Sequence, residues 1–354
     1  MTILITGIAG FAGSNIAKYF RASYPGITLF GIDNLSRRGS EYNLSTLKEL
    51  DCKFYFGDVR NKEDIDDLPK VDWIIDCAAN PSVLAGVTSS SLGLVNNNLI
   101  GTIYLLEKCK KDNAGFIMLS TSRVYSIAAL NTIVLSENDN SFVIDNQAGF
   151  QVGFSEKGIA ENFSTAAPIS LYGATKLASE VLALEYHYKF GFPVCINRCG
   201  VIAGPGQFGK IDQGIFSFWI YQYLLNKPLS YIGFSGTGKQ ARDLFHPYDV
   251  FTMIQKQINE PEKKSPLIIN LGGGVENYYS LAQLDAFCKK NIRSDKQINS
   301  ITENRSFDIP LYISDYSCAD QYWNWRPTIK AEAILQKILV YAKDNLDHIK
   351  HIST

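Results

Sequence analysis

Ile3-Leu4-Ile5-Thr6-Gly7-Ile8-Ala9-Gly10-Phe11-Ala12-Gly13 is the stretch that decides the fold. Ile3 to Thr6 read as a short buried strand, and three glycines spaced by two residues follow at once. Ser14-Asn15-Ile16-Ala17-Lys18-Tyr19-Phe20 then continues with helical periodicity. Glycines at 7, 10 and 13 permit a tight turn and let the backbone approach a pyrophosphate. The free N–H groups and the dipole of the helix N-terminus favour that anion. An acidic residue about twenty positions on completes such a fingerprint, and Thr28-Leu29-Phe30-Gly31-Ile32-Asp33 supplies it at the end of a second strand. A carboxylate there accepts from ribose hydroxyls and repels a 2′-phosphate, so NAD is expected over NADP, with Arg37 and Arg38 pulling the other way. The expected cofactor contacts begin with Gly7, Gly10, Phe11, Ala12 and Gly13. They continue with Asp33, Asn34, Ser36 and Arg37.

Working outward, Lys53-Phe54-Tyr55-Phe56-Gly57 reads as a third strand, ending at Asp58-Val59, which are placed for the adenine edge. Trp73-Ile74-Ile75-Asp76-Cys77 is a fourth, leading into Ala78-Ala79-Asn80-Pro81, small residues suited to close cofactor approach. A long helix is expected over 95–110, with Asn98 near its start. Gly115 to Ser120 form a fifth strand that ends in Thr121-Ser122-Arg123-Val124-Tyr125, and Pro193 to Arg198 a sixth. Strands alternating with helices predict an α/β fold, a doubly wound parallel Rossmann sheet with a smaller C-terminal α/β substrate lobe. Ligands should sit at the carboxyl ends of the strands. The expected division gives 1–198 to the NAD-binding domain, with 245–272 returning to it, and 199–244 and 273–354 to a nucleotide-sugar lobe. The polar stretch 147–168 reads as a loop able to reach over the crevice. The helix 215–226 is aromatic and amphipathic, and its aromatics are expected in a core.

Ser170-Leu171-Tyr172-Gly173-Ala174-Thr175-Lys176 opens another helix, and a spacing of four puts the phenol and the ammonium on one face. An unperturbed tyrosine, with a pKa near ~10, is a poor base at neutral pH. A nearby cation favours the phenolate, and the pair could take a proton from a sugar hydroxyl while hydride leaves the same carbon.

Together, Thr6-Gly7-x-x-Gly10-x-x-Gly13, Asp58-Val59, Asn98-x-x-Gly101-Thr102, Ser120-Thr121-x-x-Val124-Tyr125 and Tyr172-x-x-x-Lys176 resemble the extended short-chain dehydrogenase/reductase superfamily over nearly the whole chain. The resemblance implies Thr121 as the hydroxyl that holds the substrate oxygen and Tyr172 as acid and base. It implies Lys176 as the partner of Tyr172 and a nicotinamide-ribose contact, and Asn98 as a structural or proton-relay residue. Arg198, Ala78, Ala79, Asn98, Asp58 and Val59 are further candidate cofactor contacts. In the second half, Gln207, Gly238-Lys239-Gln240-x-Arg242-Asp243 and Arg305-x-x-Asp308 resemble the substrate lobe of the nucleotide-sugar epimerase/dehydratase group. Arg242 can fork onto a diphosphate, and Arg305 with Asp308 could take a second phosphate and a ribose. Asn80, Ser122, Arg123 and Gln240 complete the candidate substrate contacts with Thr121 and Tyr172. Asp33-Asn34-Leu35-Ser36-Arg37, Gln207-Phe208 and Asp212-Gln213-Gly214 look closest to the CDP-tyvelose (CDP-paratose) 2-epimerases. The Ala78-Ala79-Asn80-Pro81 turn and the stretch 160–171 depart from that pattern beside the expected sugar site.

Sugar 4,6-dehydratases of the same group carry Thr-Asp-Glu after the fifth strand, where the carboxyl groups drive elimination. Here Ser122 and Arg123 stand in those places, so elimination lacks its acid and base. Oxidation and re-reduction at one carbon remain, and the resemblance points to C2 of a CDP-linked 3,6-dideoxyhexose. A 4-epimerase or reductase of another nucleotide sugar, and an NAD-sensing regulator, stay open as alternatives. A homodimer through the helices bearing Asn98 and Tyr172 is implied by resemblance.

Composition agrees with an enzyme of small molecules. Hydrophobic residues make up 46%, charged residues 19% and the net charge is -1, which predicts no nucleic-acid or membrane-surface partner. No apolar run approaches the ~18 residues of a membrane span. Met1-Thr2 leads straight into a strand with no basic segment, and the seven cysteines are scattered, so a cytoplasmic location with reduced thiols is expected. The four histidines show no metal spacing, and no metal is expected.

Overall fold

The computed structural model describes residues 1–87, 90–210, 213–292 and 295–352. Seven parallel strands form its central sheet: β1 (Thr2–Thr6), β2 (Thr28–Asp33), β3 (Lys53–Phe56), β4 (Trp73–Asp76), β5 (Gly115–Thr121), β6 (Val194–Cys199) and β7 (Ile268–Leu271). Their order across the sheet is β7-β6-β5-β4-β1-β2-β3. Covered on both faces, these strands carry almost unbroken apolar runs, and every residue of β5 is buried. Alternate residues still go to opposite layers. Ile3, Ile5, Ile75 and Ile117 join one core with Phe20 of α1 (Phe11–Ser23) and with Val250 and Met253 of the helix Pro247–Asn259. Leu4, Ile74, Phe116 and Met118 join the other core with Leu105 of α2 (Gly101–Asp112) and Ala183 of α3 (Ser170–Phe190). The registers Thr6↔Ile32, Thr6↔Asp76 and Cys199↔Thr121 bring the carboxyl ends of five strands to one edge of the sheet.

A second, smaller core is built from the aromatic helix Ile215–Leu224 and the helices Leu281–Ile292, Ala331–Asp344 and Leu346–Ile352, with Trp219, Tyr221 and Ile338 fully inside. Short strands Val201–Ile202, Ala241–Phe245, Tyr278–Ser280 and Leu311–Tyr312 form its sheet. The chain from 273 onward is not confined to this unit, because Ala319, Trp323 and Trp325 pack into the first core, where the Trp325 indole donates to Asp249 O at 2.9 Å.

Three local features differ from the sequence expectation. The helix expected over 95–110 begins earlier, at Leu92, and widens into a π turn over Asn96–Ile100 before α2. The aromatic helix expected over 215–226 stops at Leu224, and its chain reverses through Asn226 in the left-handed region at φ 51°. The stretch 147–168 is no open loop. Its strands Phe154–Ser155 and Gly158–Ile159 pair with each other, Ile159 bridges Ser314, and Phe163 packs edge-on against Tyr125, so it lies behind the crevice and not across it. Asp212 lies outside the described residues. Among the described residues no helix is long and apolar enough to cross a membrane, and no cluster of His, Cys, Asp and Glu could hold a metal ion.

Candidate active site

A cleft of about 460 Å³ runs along the carboxyl edge of the sheet, from the glycine-rich turn to Arg305 and Asp308 of the smaller unit. At its first end Gly7 turns left-handed at φ +61°, and a Cβ there would stand 3.0 Å from the Ala78 backbone. A Cβ at Gly13 would meet Gly7 O at 2.4 Å. No side chain caps α1, so its first N–H groups face the cleft with Gly10, Phe11 and Ala12 on the wall, which is a fit for a dinucleotide pyrophosphate. Thr6 holds the opposite lip: its hydroxyl donates to Asp76 and accepts from the N–H groups of Cys77 and Ala78, the latter at 3.0 Å. Ala79 continues that lip.

Asp33 accepts from Ala9 N at 3.0 Å and Leu35 N at 2.8 Å, and burial raises its pKa. Asn34, Ser36 and Arg37 line the cleft beside it. The Arg37 guanidinium donates to Phe208 O on the linker into the smaller unit. The same loop is covered by the helix Leu346–Ile352. His348 stacks on Tyr42 at 4.1 Å, and a Cβ at Gly39 would lie 2.9 Å from the Ile352 side chain. The loop after Asp33 is thus covered by the C-terminal helix, while Phe208 and Gln207 bring the smaller unit to the cleft beside Asn34, Ser36 and Arg37.

Midway, Thr121, Ser122, Arg123 and Tyr172 share the wall. The Thr121 hydroxyl accepts from Arg123 N at 3.2 Å, and the backbone of α3 comes so close to β5 that a Cβ at Gly173 would sit 2.2 Å from Arg123 O. Glycine is therefore what lets the tyrosine reach Thr121. The phenol is not lowered as the sequence suggested. Burial pushes Tyr172 up to about 12, while the Thr121 hydroxyl and Arg123 pull it down. Lys176 is 1% exposed, sunk beneath the wall, with Cys77 and Cys199 as its charge-sensitive neighbours.

At the far end Arg242 donates to Ala241 O and Ile309 O, and burial, followed by repulsion from Arg123, pushes its pKa down to about 9. Arg305 does not stand free for a phosphate. Its guanidinium forks onto Asp308 at 2.8 and 3.0 Å. Gln207 and Gln240 reach the wall, but the Gln207 amide is committed to Ile202 O and the Ser217 hydroxyl, and the Gln240 amide N–H to Ile232 O.

Several candidates lie off the cleft. Val59 lines it beside Gly57, whereas the Asp58 carboxylate is held by Asn34 and Arg60, which keep its pKa down at about 2. Asn98, 1% exposed, is structural: it accepts from Asn80 N at 2.8 Å and donates to Asn80 O and to the Thr175 hydroxyl. It thereby pins the β4 turn to α3 through the Asn80 backbone, and the exposed Asn80 side chain is not on the cleft wall. Arg198 does not line the cleft. Its guanidinium forks onto Glu180 of α3 at 2.7 and 3.2 Å and donates to Glu161 O and the Tyr125 hydroxyl. Glu180 also accepts from Ser120, and Tyr125 donates to Asn270 at 2.6 Å, so one buried network joins α3, β5, β6 and β7. Sequence reasoning missed Cys199, Phe234, Tyr279 and Phe307 on the wall. Cys199 was reachable from its place at a strand's carboxyl end, and the three aromatics carried no signal apart from core residues.

A family model described as "NAD dependent epimerase/dehydratase family" matches residues 3–272. A CDP-paratose 2-epimerase of Salmonella typhi is 28% identical over 96% of this chain and 98% of its own. A UDP-glucuronate 4-epimerase of Thermodesulfobacterium geofontis is equally 28% identical, over 99% and 98%. Among solved structures, a UDP-glucuronic acid 4-epimerase of Bacillus cereus in complex with UDP-glucuronic acid and NAD superposes with a TM-score of 0.76 at 26% identity. That match covers 97% of this chain and 99% of the other.

Proposed function

The chain belongs to the NAD-dependent epimerase/dehydratase family, and from that premise we propose that it inverts C2 of a CDP-linked 3,6-dideoxyhexose. The observation that carries an epimerase reading is the wall beyond Thr121. It presents a hydroxyl, Ser122, and a cation, Arg123, beside Tyr172, in the two places after Thr121 where a dehydratase would carry its carboxyl groups. The choice of C2 and of a CDP sugar is supported by the Salmonella typhi relative and by Gln207-Phe208 and Gly238-Lys239-Gln240-x-Arg242-Asp243. A 4-epimerase is the second reading, favoured by the two UDP-glucuronate relatives.

When bound, NAD would supply the hydride-accepting and hydride-returning chemistry at one sugar carbon. The helix α1 N-terminus and Gly7 would hold its pyrophosphate, and Asp33 a ribose. Tyr172 takes the hydroxyl proton and gives it back, and Thr121 holds the sugar oxygen against the phenol. Arg242 faces the substrate diphosphate, and Arg305 reaches it once released from Asp308. The domain division of 1–198 with 245–272 against 199–244 with 273–354 is part of this reading. So are a cytoplasmic location and a homodimer through the outer face of α3, where Val181 and Tyr188 are exposed.

Isotope retention tests it. A CDP-3,6-dideoxyhexose deuterated at C2 should return inverted at C2 with the label kept, and reaction in heavy water should leave the sugar unlabelled. Solvent deuterium in the product sinks the mechanism. Retention with inversion at C4 of another nucleotide sugar keeps the mechanism and replaces the substrate.

A further inference from the structure

The loop that follows Asp33 is tied at both ends to one residue of the glycine-rich turn. Ala9 N donates to Asp33 at 3.0 Å, and Ala9 O accepts from the Asn43 amide at 2.8 Å. Between these ties residues 34–42 form a flap. Its first half reaches the cofactor cleft through Asn34, Ser36 and Arg37. It bends twice through the left-handed region, at Leu35 (φ 53°) and at Gly39 (φ +100°). A leucine stays in that region only where its surroundings hold it there.

The group that holds the second half of the flap comes from the other end of the chain. The helix Ala331–Asp344 stops at Asn345, and the short helix Leu346–Ile352 follows. That helix is rooted in the smaller core, where Ile349 is buried with Trp219 and Ile338 and Ile352 packs against them. Its histidines face the flap. The His348 ring stacks on Tyr42 with centroids 4.1 Å and planes 10° apart, and His351 meets Tyr42 edge-on at 5.9 Å. Glu41 lies 3.9 Å from Nε2 of His351 and accepts from Gly39 N at 2.8 Å. A Cβ at Gly39 would stand 2.8 Å from Phe208 and 2.9 Å from Ile352, so flap, linker and helix touch at that point. Glu41, Tyr42, His348 and Ile352 are all off the cleft wall. The helix can therefore act on a bound cofactor only through the flap.

We propose that the helix Leu346–Ile352 is a strap, and that its grip on Tyr42 sets how fast NAD enters and leaves the cleft. This goes beyond the choice of reaction and rests only on the dinucleotide site. For the flap to swing off the cleft, Tyr42 must part from His348. The stack is then part of the cost of opening, and such openings limit ligand release in many enzymes. An aromatic pair changes an equilibrium by about threefold to tenfold. Because neither ring is on the cleft wall, breaking the stack enlarges the open population whether NAD is bound or not. Entry and exit quicken by the same factor, and the affinity stays where it was. A cofactor that ends each cycle unchanged gains from such a strap, since its loss between turnovers would idle the site.

The test needs no sugar, so it stands apart from the epimerase assignment. NADH fluorescence reads both rates: stopped-flow mixing with protein freed of cofactor gives entry, and a chase with excess NAD gives exit. His348 is exposed, so His348→Ala should keep the fold, which circular dichroism and melting temperature check. Both rates should rise about threefold to tenfold in His348→Ala, with the dissociation constant held within about twofold. His348→Phe keeps a ring on Tyr42 and should return both rates to those of the wild type. Tyr42→Ala should act as His348→Ala does, and the two changes together should be no faster than Tyr42→Ala alone. An exit rate unchanged in His348→Ala overturns the proposal. So does a faster exit with entry unaltered, which would make the helix a support for the bound state and not a gate. Effects of the two changes that multiply would show that they do not act through the stack, and would overturn it as well.

Discussion

Removing the guanidinium of Arg198 should destabilise the fold and leave cofactor affinity alone. Arg198 and Glu180 have side-chain exposures of 5% and 1%, and Glu180 accepts from Arg198 at 2.7 Å. In Arg198→Met the Glu180 carboxylate keeps only the Ser120 hydroxyl, and breaking one side of such a pair costs about 3–5 kcal/mol. That is a large part of an ordinary stability of about 5–15 kcal/mol. With an m value of roughly 3 kcal/mol/M, the urea midpoint should fall by at least about 1 M. Glu180→Met/Arg198→Met should recover much of the loss, because no buried charge is left unpaired. NAD affinity, measured by calorimetry well below the melting temperature, should stay within about threefold for every variant that remains folded. A tenfold weaker NAD complex with an unchanged urea midpoint would refute this reasoning and return Arg198 to the cofactor site.

Tyr172→Phe keeps the ring that fills the wall and removes the proton carrier, so turnover should fall by about 10²–10⁴-fold while NAD stays bound; unchanged turnover removes Tyr172 from the mechanism. Gly13→Ala places a methyl group 2.4 Å from Gly7 O, so the turn must open, and equilibrium dialysis should show NAD binding lost even where circular dichroism shows the fold kept. His246 is neutral inside the fold, its pKa pushed down to about 4 by burial from an ordinary 6.5. A depressed folded value gives stability that is full above ~6.5 and drains away as pH falls towards ~4, by about 3 kcal/mol in total. His246→Asn keeps an acceptor for Tyr248 N and should flatten that part of the stability–pH curve. An unaltered slope would mean that another group carries it.

Strand and glycine signals read well from sequence because they are local. Gly7, Gly10 and Gly13 between an apolar run and a helix leave few other conformations, and six strands of the sheet followed from repeating that pattern. What could not be read was partner choice over long separations. Arg198 sits at a strand end where a cofactor contact is reasonable, and only the fold shows Glu180, eighteen positions earlier, turned to meet it. Arg305 and Asp308 were placed correctly at the cleft, but their spacing of three equally suits pairing with each other, which is what they do. Tyr172 and Lys176 do share a helix face, as spacing of four requires, yet depth along that face separates one on the wall from one beneath it. Burial at that scale is set by the strands below, and the helix sequence does not contain it.

The covering of Gly39 and Tyr42 by His348 and Ile352 has a consequence for how the protein is made. Gly39 and Ile352 are 313 positions apart. At a synthesis rate of about 5–20 residues per second, the loop that follows Asp33 waits roughly 15–60 s on the ribosome before its cover exists. During that interval the glycine turn can fold, but Gly39 and Tyr42 lie open to water on one side. The loop that follows Asp33 is therefore covered only once residues 346–352 have been made, and a nascent chain stalled before residue 346 would leave Gly39 and Tyr42 bare.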